Sequence, residues 1–316
     1  MPHCMAKKSS EDPRRLELHL SYACVQLCAF CSESGRMARF AGQPVGLKEV
    51  LSVLLRKRRA GCSHVTFTGG EPTLRPDLPV ILATARRLGY STYLTSNGCR
   101  LAEPAYARRV LPLLDELCLS VHGGSARVHD RATRTPGGFA KLRAALRNVE
   151  AAARPPFLLT NTVLTRENLP GLNGTLEFIL RHRRVRHVLL SNLAPEGRGG
   201  EGYARLAVRL GEFRRRIPAA AKRVEGRGVV FRVFGVPACV LGGRWDCSND
   251  LYWSPRVTVE RGAARGRMGL RSIVSLRPDR LRVHTPRCRG CALRRRCPGL
   301  FEAQLRLYGD CDLAAM

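Results

Sequence analysis

The sequence predicts an α/β fold: a partial (β/α)6 TIM-like barrel over residues 1–225, followed by a small loop-rich domain, residues 226–316, stapled by metal. Three observations predict it. Six β-like runs alternate with amphipathic helical stretches in the first two-thirds of the chain, the pattern of a parallel sheet with right-handed crossovers. Six such units suggest a partial barrel rather than a closed eight-stranded one. After about residue 225 the long helical periods stop, and cysteines recur at metal-ligand spacing.

The elements follow in order. Leu16, Leu18 and Leu20 alternate in RLELHLS, a strand signal. Leu47, Val50, Leu51, Leu54 and Leu55 then recur at helical spacing. HVTFT (64–68) reads as the second strand, STYLTS (91–96) as the third and ELCLSV (116–121) as the fourth. FLLTNTV (157–163) and HVLLSNL (187–193) are the fifth and sixth. Between the fourth and fifth, Phe139, Leu142, Ala145, Leu146 and Val149 mark one helix face, and His129-Asp130 is expected to position that helix. A strand-like GVVFRVF then leads into GVPACVLGGRWDC and the cysteine-bearing tail.

Bulk properties narrow the class. The chain has 316 residues and 44% hydrophobic content, enough for one large core and an appendage. No apolar run approaches a bilayer span, and the opening MPHCMAKKSSEDPRR lacks the apolar stretch of a secretory signal, so a cytoplasmic protein without membrane association is expected. Thirteen cysteines, an odd number in close clusters, point to metal or redox chemistry rather than a disulfide framework. The net charge of +29 is compatible with a nucleic-acid partner. Only six of the 54 basic residues are lysine, however, and the arginines are spread along the chain, as in a solvated arginine-rich surface.

Directly after the first strand stands Cys24-Val-Gln-Leu-Cys28-Ala-Phe-Cys31. Three thiolates within eight residues can wrap one soft metal centre, as cysteine loops do around iron–sulfur clusters. Three ligands for four irons leave one iron open, and the amino and carboxylate groups of a methionine could chelate it. Zinc is the alternative, but its sites pair C-x₂-C knuckles with a fourth ligand nearby, and none stands close to Cys31. Further motifs fall at successive strand ends: Gly69-Gly70-Glu71-Pro72, Ser96-Asn97-Gly98 and Ser120-Val-His122-Gly123.

Together these motifs resemble the radical S-adenosylmethionine (SAM) superfamily over most of the chain. The resemblance implies a [4Fe–4S] cluster on Cys24, Cys28 and Cys31. It implies that Gly69, Gly70 and Glu71 receive the methionine amino group of SAM. Ser96, Asn97 and Ser120 would lie near the methionine carboxylate and the ribose, and Phe30 by the adenine. The implied chemistry is one-electron cleavage of SAM to a 5′-deoxyadenosyl radical, which removes a hydrogen atom from a substrate. An electron donor such as a flavodoxin or ferredoxin is implied with it. His122, next to this pocket, is a candidate to shuttle a proton or touch substrate. Asn161 and Asn192 could face the barrel mouth or bond backbone.

The second cluster, Cys288-Arg-Gly-Cys291-Ala-Leu-Arg-Arg-Arg-Cys297, is a metal signal by itself. It resembles part of the auxiliary-cluster signature of SPASM and shorter twitch-type domains. The full pattern has a cysteine where Phe301 stands, which implies one auxiliary [4Fe–4S] cluster rather than two. Cys239 is the first choice as fourth ligand, with Cys311 and Cys247 as alternatives and zinc as the other metal. Cys4, Cys62, Cys99 and Cys118 show no ligand spacing. A peptide or protein substrate is expected from the auxiliary-cluster tail. An RNA substrate, favoured by the charge, is the alternative, and a non-catalytic iron–sulfur sensor the reading outside catalysis.

Overall fold

The computed structural model of the chain describes residues 13–264 and 267–316. Cys4 and the basic N-terminal segment up to residue 12 lie outside the described residues. Seven parallel strands follow one another in both sequence and space: β1 (Arg15–Ser21), β2 (His64–Gly69), β3 (Ser91–Ser96), β4 (Glu116–Ser120), β5 (Phe157–Leu164), β6 (Val185–Asn192) and β7 (Val230–Phe234). On its other side β1 pairs in parallel with β8 (Arg256–Ala264), which turns back antiparallel into β9 (Arg267–Ser275). The nine strands form an open partial barrel. The six strands expected before residue 225 are present. Strands from beyond that residue extend the same sheet at both edges, β7 beside β6 and β8–β9 beside β1.

The two faces follow from the alternation of side chains along a strand. Val259, Leu18, Phe67, Leu94, Leu117 and Leu158 stand in register across six strands and are all buried. Amphipathic helices cover this outward row: α2 (Leu47–Arg59), α3 (Leu78–Arg87), α6 (Gly138–Glu150), α7 (Leu172–Leu180) and α10 (Leu210–Glu225). Val50, Val53 and Leu54 of α2, and Leu142, Ala145, Leu146 and Val149 of α6, are the buried stripes expected from their spacing. The opposite row is polar. Thr258, Glu17, Thr66, Tyr93 and Glu116 point into the lumen. There His19, 5% exposed, lies 3.5 Å from a Glu17 carboxylate oxygen and 3.2 Å from one of Glu33. Burial disfavours its charge, but the two carboxylates outweigh that and push the imidazole up to about 9.

Shorter elements complete the barrel: α1 (Ser34–Phe40), α4 (Pro104–Val110), α5 (Ala126–Thr133), α8 (Gly197–Glu201) and α9 (Tyr203–Leu206). Asp130 on α5 accepts from the backbone N–H groups of Gly137 at 2.8 Å and Phe139 at 2.7 Å, and so sets the start of α6. The tail adds a two-stranded ribbon, β10 (Arg282–Val283) with β11 (Leu300–Phe301), and α11 (Glu302–Tyr308). No helix among the described residues is long and apolar enough to cross a membrane.

Candidate active site

The cysteine loop leaves the C-terminal end of β1, where barrel-type sheets carry their chemistry. Its backbone is pinned to α5: Leu27 N–H donates to Thr133 O at 3.0 Å and Ala29 N–H to Ala132 O at 3.1 Å. Gln26, 3% exposed, sits inside the loop. Its backbone N–H donates to Cys24 Sγ at 3.3 Å, and its side-chain oxygen accepts from Cys28 Sγ at 3.6 Å. Burial pushes the Cys24 thiol up to about 11 and the Cys28 thiol up to about 12, and the charge of Cys31 adds to both. Three half-buried thiols, each pushed up chiefly by burial, therefore stand on one loop. A cationic iron centre relieves both the burial and the repulsion, so the donor set fits an iron–sulfur cluster.

The glycine-rich turn after β2 closes on this loop. Gly70 N–H donates to Ser21 O at 2.7 Å and Glu71 N–H to Ala23 O at 2.8 Å. A Cβ at Gly69, whose φ is +117°, would stand 2.4 Å from Ser21 O, and one at Gly70 would stand 2.4 Å from Ala23 O. Both glycines thus admit the backbone that leads into the cysteine loop.

Glu71 is 1% exposed and already committed. Its Oε1 accepts from Thr73 N at 3.0 Å, Thr73 Oγ1 at 2.6 Å and Ser96 Oγ at 2.9 Å. Its Oε2 accepts from Asn97 N at 2.7 Å. Burial still pushes its carboxyl upward, so the donors only partly offset desolvation. Glu71 is therefore a positioning group that ties the end of β3 to the turn after β2. Asn97, held by it, directs Nδ2 toward Cys24 Sγ at 3.6 Å. Ser120 is half-buried at the end of β4, paired with Asn161 of β5.

Phe30, 7% exposed, meets the His122 ring edge-to-face with centroids 4.5 Å apart. His122 Nδ1 accepts from Val163 N at 3.3 Å. Burial, and then the neighbouring His129, push His122 down to about 3. A ring so strongly held neutral is a poor proton acceptor at neutral pH. His122 thus packs behind Phe30 just beyond the end of β4. Asn161 accepts from Ser191 Oγ at 2.8 Å and Asn192 donates to Gly235 O at 3.0 Å, so both brace neighbouring segments.

Arg198 of α8 was not singled out by sequence reasoning. Its Nε donates to Cys28 O at 2.9 Å and its backbone N–H to Ser34 Oγ at 2.7 Å. The approach requires Gly197, where a Cβ would stand 2.5 Å from Cys31 O. The glycine-rich run Gly197-Arg-Gly-Gly200 after the sixth strand was the available signal.

In the tail, Cys239, Cys288, Cys291 and Cys297 line one small pocket. Burial raises the Cys239 thiol, and the charges of Cys297, Cys288 and Cys291 raise it further. Backbone N–H groups of Ala238 and Gly299 point at Cys297 Sγ and that of Ala314 at Cys239 Sγ. Four such thiols fit a metal centre with all-cysteine ligation. Neither Cys247 nor Cys311 lines this pocket: Cys247 is buried beside Glu225 and Asp246, and Cys311 is exposed. The side chains of Arg282 and Asp250, each 1% exposed, pair at 3.5 Å between this pocket and the lumen. The Arg282 guanidinium lies over Phe301 at 3.9 Å.

A parallel open barrel with a three-cysteine loop at the end of β1 and a glycine turn at the end of β2 defines a class. The radical SAM superfamily model matches residues 18–179, just over half of the chain, and the chain belongs to that superfamily. Membership implies a [4Fe–4S] cluster with SAM. Among solved structures the fold is similar to Streptococcus suis SuiB bound to S-adenosylmethionine, at 17% identity over 79% of this chain and 58% of that one, with a TM-score of 0.59. It is similar to SuiB bound to the precursor peptide SuiA, at 17% identity over 71% and 49%, with a TM-score of 0.55. It also resembles anSMEcpe with bound AdoMet and Kp18Cys peptide, at 17% identity over 69% and 64%, with a TM-score of 0.54. The chain spans between about half and just under two-thirds of the length of these proteins.

Proposed function

We propose that this chain is a radical SAM enzyme that abstracts a hydrogen atom from a peptide or protein substrate, with a second [4Fe–4S] cluster in its tail. The observation that carries the reading is the convergence of Cys24, Cys28 and Cys31 in one loop beside the Glu71–Asn97 contact. With a [4Fe–4S] cluster and SAM bound, the site would supply one-electron cleavage of a carbon–sulfur bond and a 5′-deoxyadenosyl radical.

The chain's own residues do the rest. Cys24, Cys28 and Cys31 are the thiolate ligands, and the N–H of Gln26 and the amide of Asn97 favour the ionised form of Cys24. Glu71 holds Ser96 and the Asn97 backbone in place, so these can meet the polar part of SAM without reorganising. Phe30, backed by neutral His122, offers an aromatic face for the adenine. Arg198 closes the loop from the β6 side and limits water access to Cys28. Cys239, Cys288, Cys291 and Cys297 are the ligands of the auxiliary cluster.

A one-electron donor such as a flavodoxin or ferredoxin completes the system. Support for a peptide substrate comes from the peptides bound to SuiB and anSMEcpe, proteins of similar fold. The test is 5′-deoxyadenosine formation from SAM by the anaerobically reconstituted, reduced protein. Formation by the native chain and loss in Cys28→Ala is expected. No formation in a fully iron-loaded native protein counts against the reading.

A further inference from the structure

β9 forms one outer edge of the barrel sheet. Among the described residues it pairs with β8 alone, so its other side offers unpaired backbone groups to solvent. The C-terminal end of that edge, beyond exposed Arg271 and Ser272, is apolar: Ile273 is 37% exposed and Val274 57%, and Leu276 just beyond is 54% exposed. Natural edge strands usually blunt such surfaces, so an exposed apolar edge points to a pairing partner.

The alternate residues Arg271, Ile273 and Ser275 border two adjoining cavities. Arg271 lines an open outer vestibule whose lining contains five arginines and one acidic residue, Glu196. Ile273 and Ser275 line the lumen cavity, which reaches Ser32 and Glu33 beside Cys31. Glu260 binds Arg36 and Arg271, and Glu49 binds Arg261. Arg39 in the vestibule and Arg277 in the lumen have no acidic partner among the described residues.

We propose that the edge of β9 docks an extended, acidic peptide segment by strand addition and leads it from the arginine vestibule into the lumen. The inference rests on the peptide-modifying reading and deepens it by naming the substrate class. Main-chain hydrogen bonds to β9 give affinity, and alternate side chains of the peptide enter the two cavities. Acidic side chains meet Arg39 and Arg277, which gives selectivity and a dependence on salt.

The experiment uses the reconstituted full-length protein and three labelled probes: a short peptide alternating Glu and Val, its Lys–Val counterpart, and a short oligouridylate. Binding is read by fluorescence anisotropy, and amide hydrogen exchange is followed over residues 269–276. The Glu–Val peptide is expected to bind at least about tenfold more tightly than the Lys–Val peptide and to slow exchange along β9. Arg277→Glu and Arg39→Glu, both at exposed positions, should each weaken it about three- to tenfold. Equal binding of the two peptides, or binding without protection of β9, overturns the proposal. Tighter binding of oligouridylate with the same protection overturns it in favour of a nucleic acid. SAM cleavage by the native protein is measured on the same preparation. If it persists while docking fails, only this inference falls; if it is absent, the enzyme reading beneath it falls.

Discussion

Oε1 of Glu71, in the turn after β2, accepts a hydrogen bond from Oγ of Ser96, the last residue of β3, at 2.9 Å. The same carboxylate takes the backbone N–H of Asn97, so one buried group aligns two successive strand ends beside Cys24. Glu71→Gln replaces one acceptor oxygen with a donor that faces other donors. The expected cost is about 1–3 kcal/mol of stability. Iron content should be unchanged, and SAM affinity by equilibrium dialysis should fall roughly tenfold or more. Undiminished SAM affinity would remove the positioning role.

The two glycines of the turn admit no side chain. At Gly69 an alanine meets Ser21 O at 2.4 Å in a left-handed backbone, and at Gly70 it meets Ala23 O at the same distance. Gly69→Ala and Gly70→Ala should each destabilise the protein by more than about 2 kcal/mol and reduce iron uptake at the first site, because the cysteine loop begins at these carbonyls. Thermal unfolding with an iron count reads both effects. Gly243→Ala, where nothing lies within 4 Å of an added Cβ, is the comparison for strain alone.

The auxiliary pocket predicts an unequal outcome for three cysteines. Cys239→Ala should lower iron from about eight to about four per chain, or leave a labile cluster with a changed spectrum. Cys247→Ala and Cys311→Ala should leave iron and spectrum unchanged, since neither thiol lines the pocket. Loss of iron in Cys311→Ala with retention in Cys239→Ala would reassign the fourth ligand.

His19 supplies a pH dependence with a defined sign. Its folded pKa, raised to about 9, exceeds the ordinary value of 6.5, so its contribution is fully present below about pH 6.5 and is lost as pH rises through about 9. The shift corresponds to a change on the order of 3 kcal/mol. The unfolding temperature of the native chain should fall across that window, and that of His19→Gln should be much flatter. Parallel pH profiles for the two would show that the imidazolium between Glu17 and Glu33 does not matter.

The sheet was legible because the Leu16, Leu18, Leu20 alternation and its counterparts on the next strands record burial under helices directly. Cys24, Cys28 and Cys31 were legible through spacing. The role of Glu71 was not, because its four donors come from Thr73, Ser96 and Asn97, and only folding brings the last two to it. Arg198 acts across 170 residues of chain and leaves no local pattern beyond the glycines around it. His122 reads as a proton carrier by residue type, and its burial against Phe30 and His129 emerges only in the fold. The β8–β9 hairpin was hidden too: its strands lie in an arginine-rich tail where one face is lumen and the other half solvent.

The most direct test of the central claim is the electron paramagnetic resonance spectrum of the reduced Cys288→Ala/Cys291→Ala protein, which should retain about four irons, recorded with and without SAM. A [4Fe–4S] signal that shifts when SAM is added is the predicted result, because three thiolates leave one iron open to it. A signal indifferent to SAM, or no cluster at all on Cys24, Cys28 and Cys31, would contradict the account.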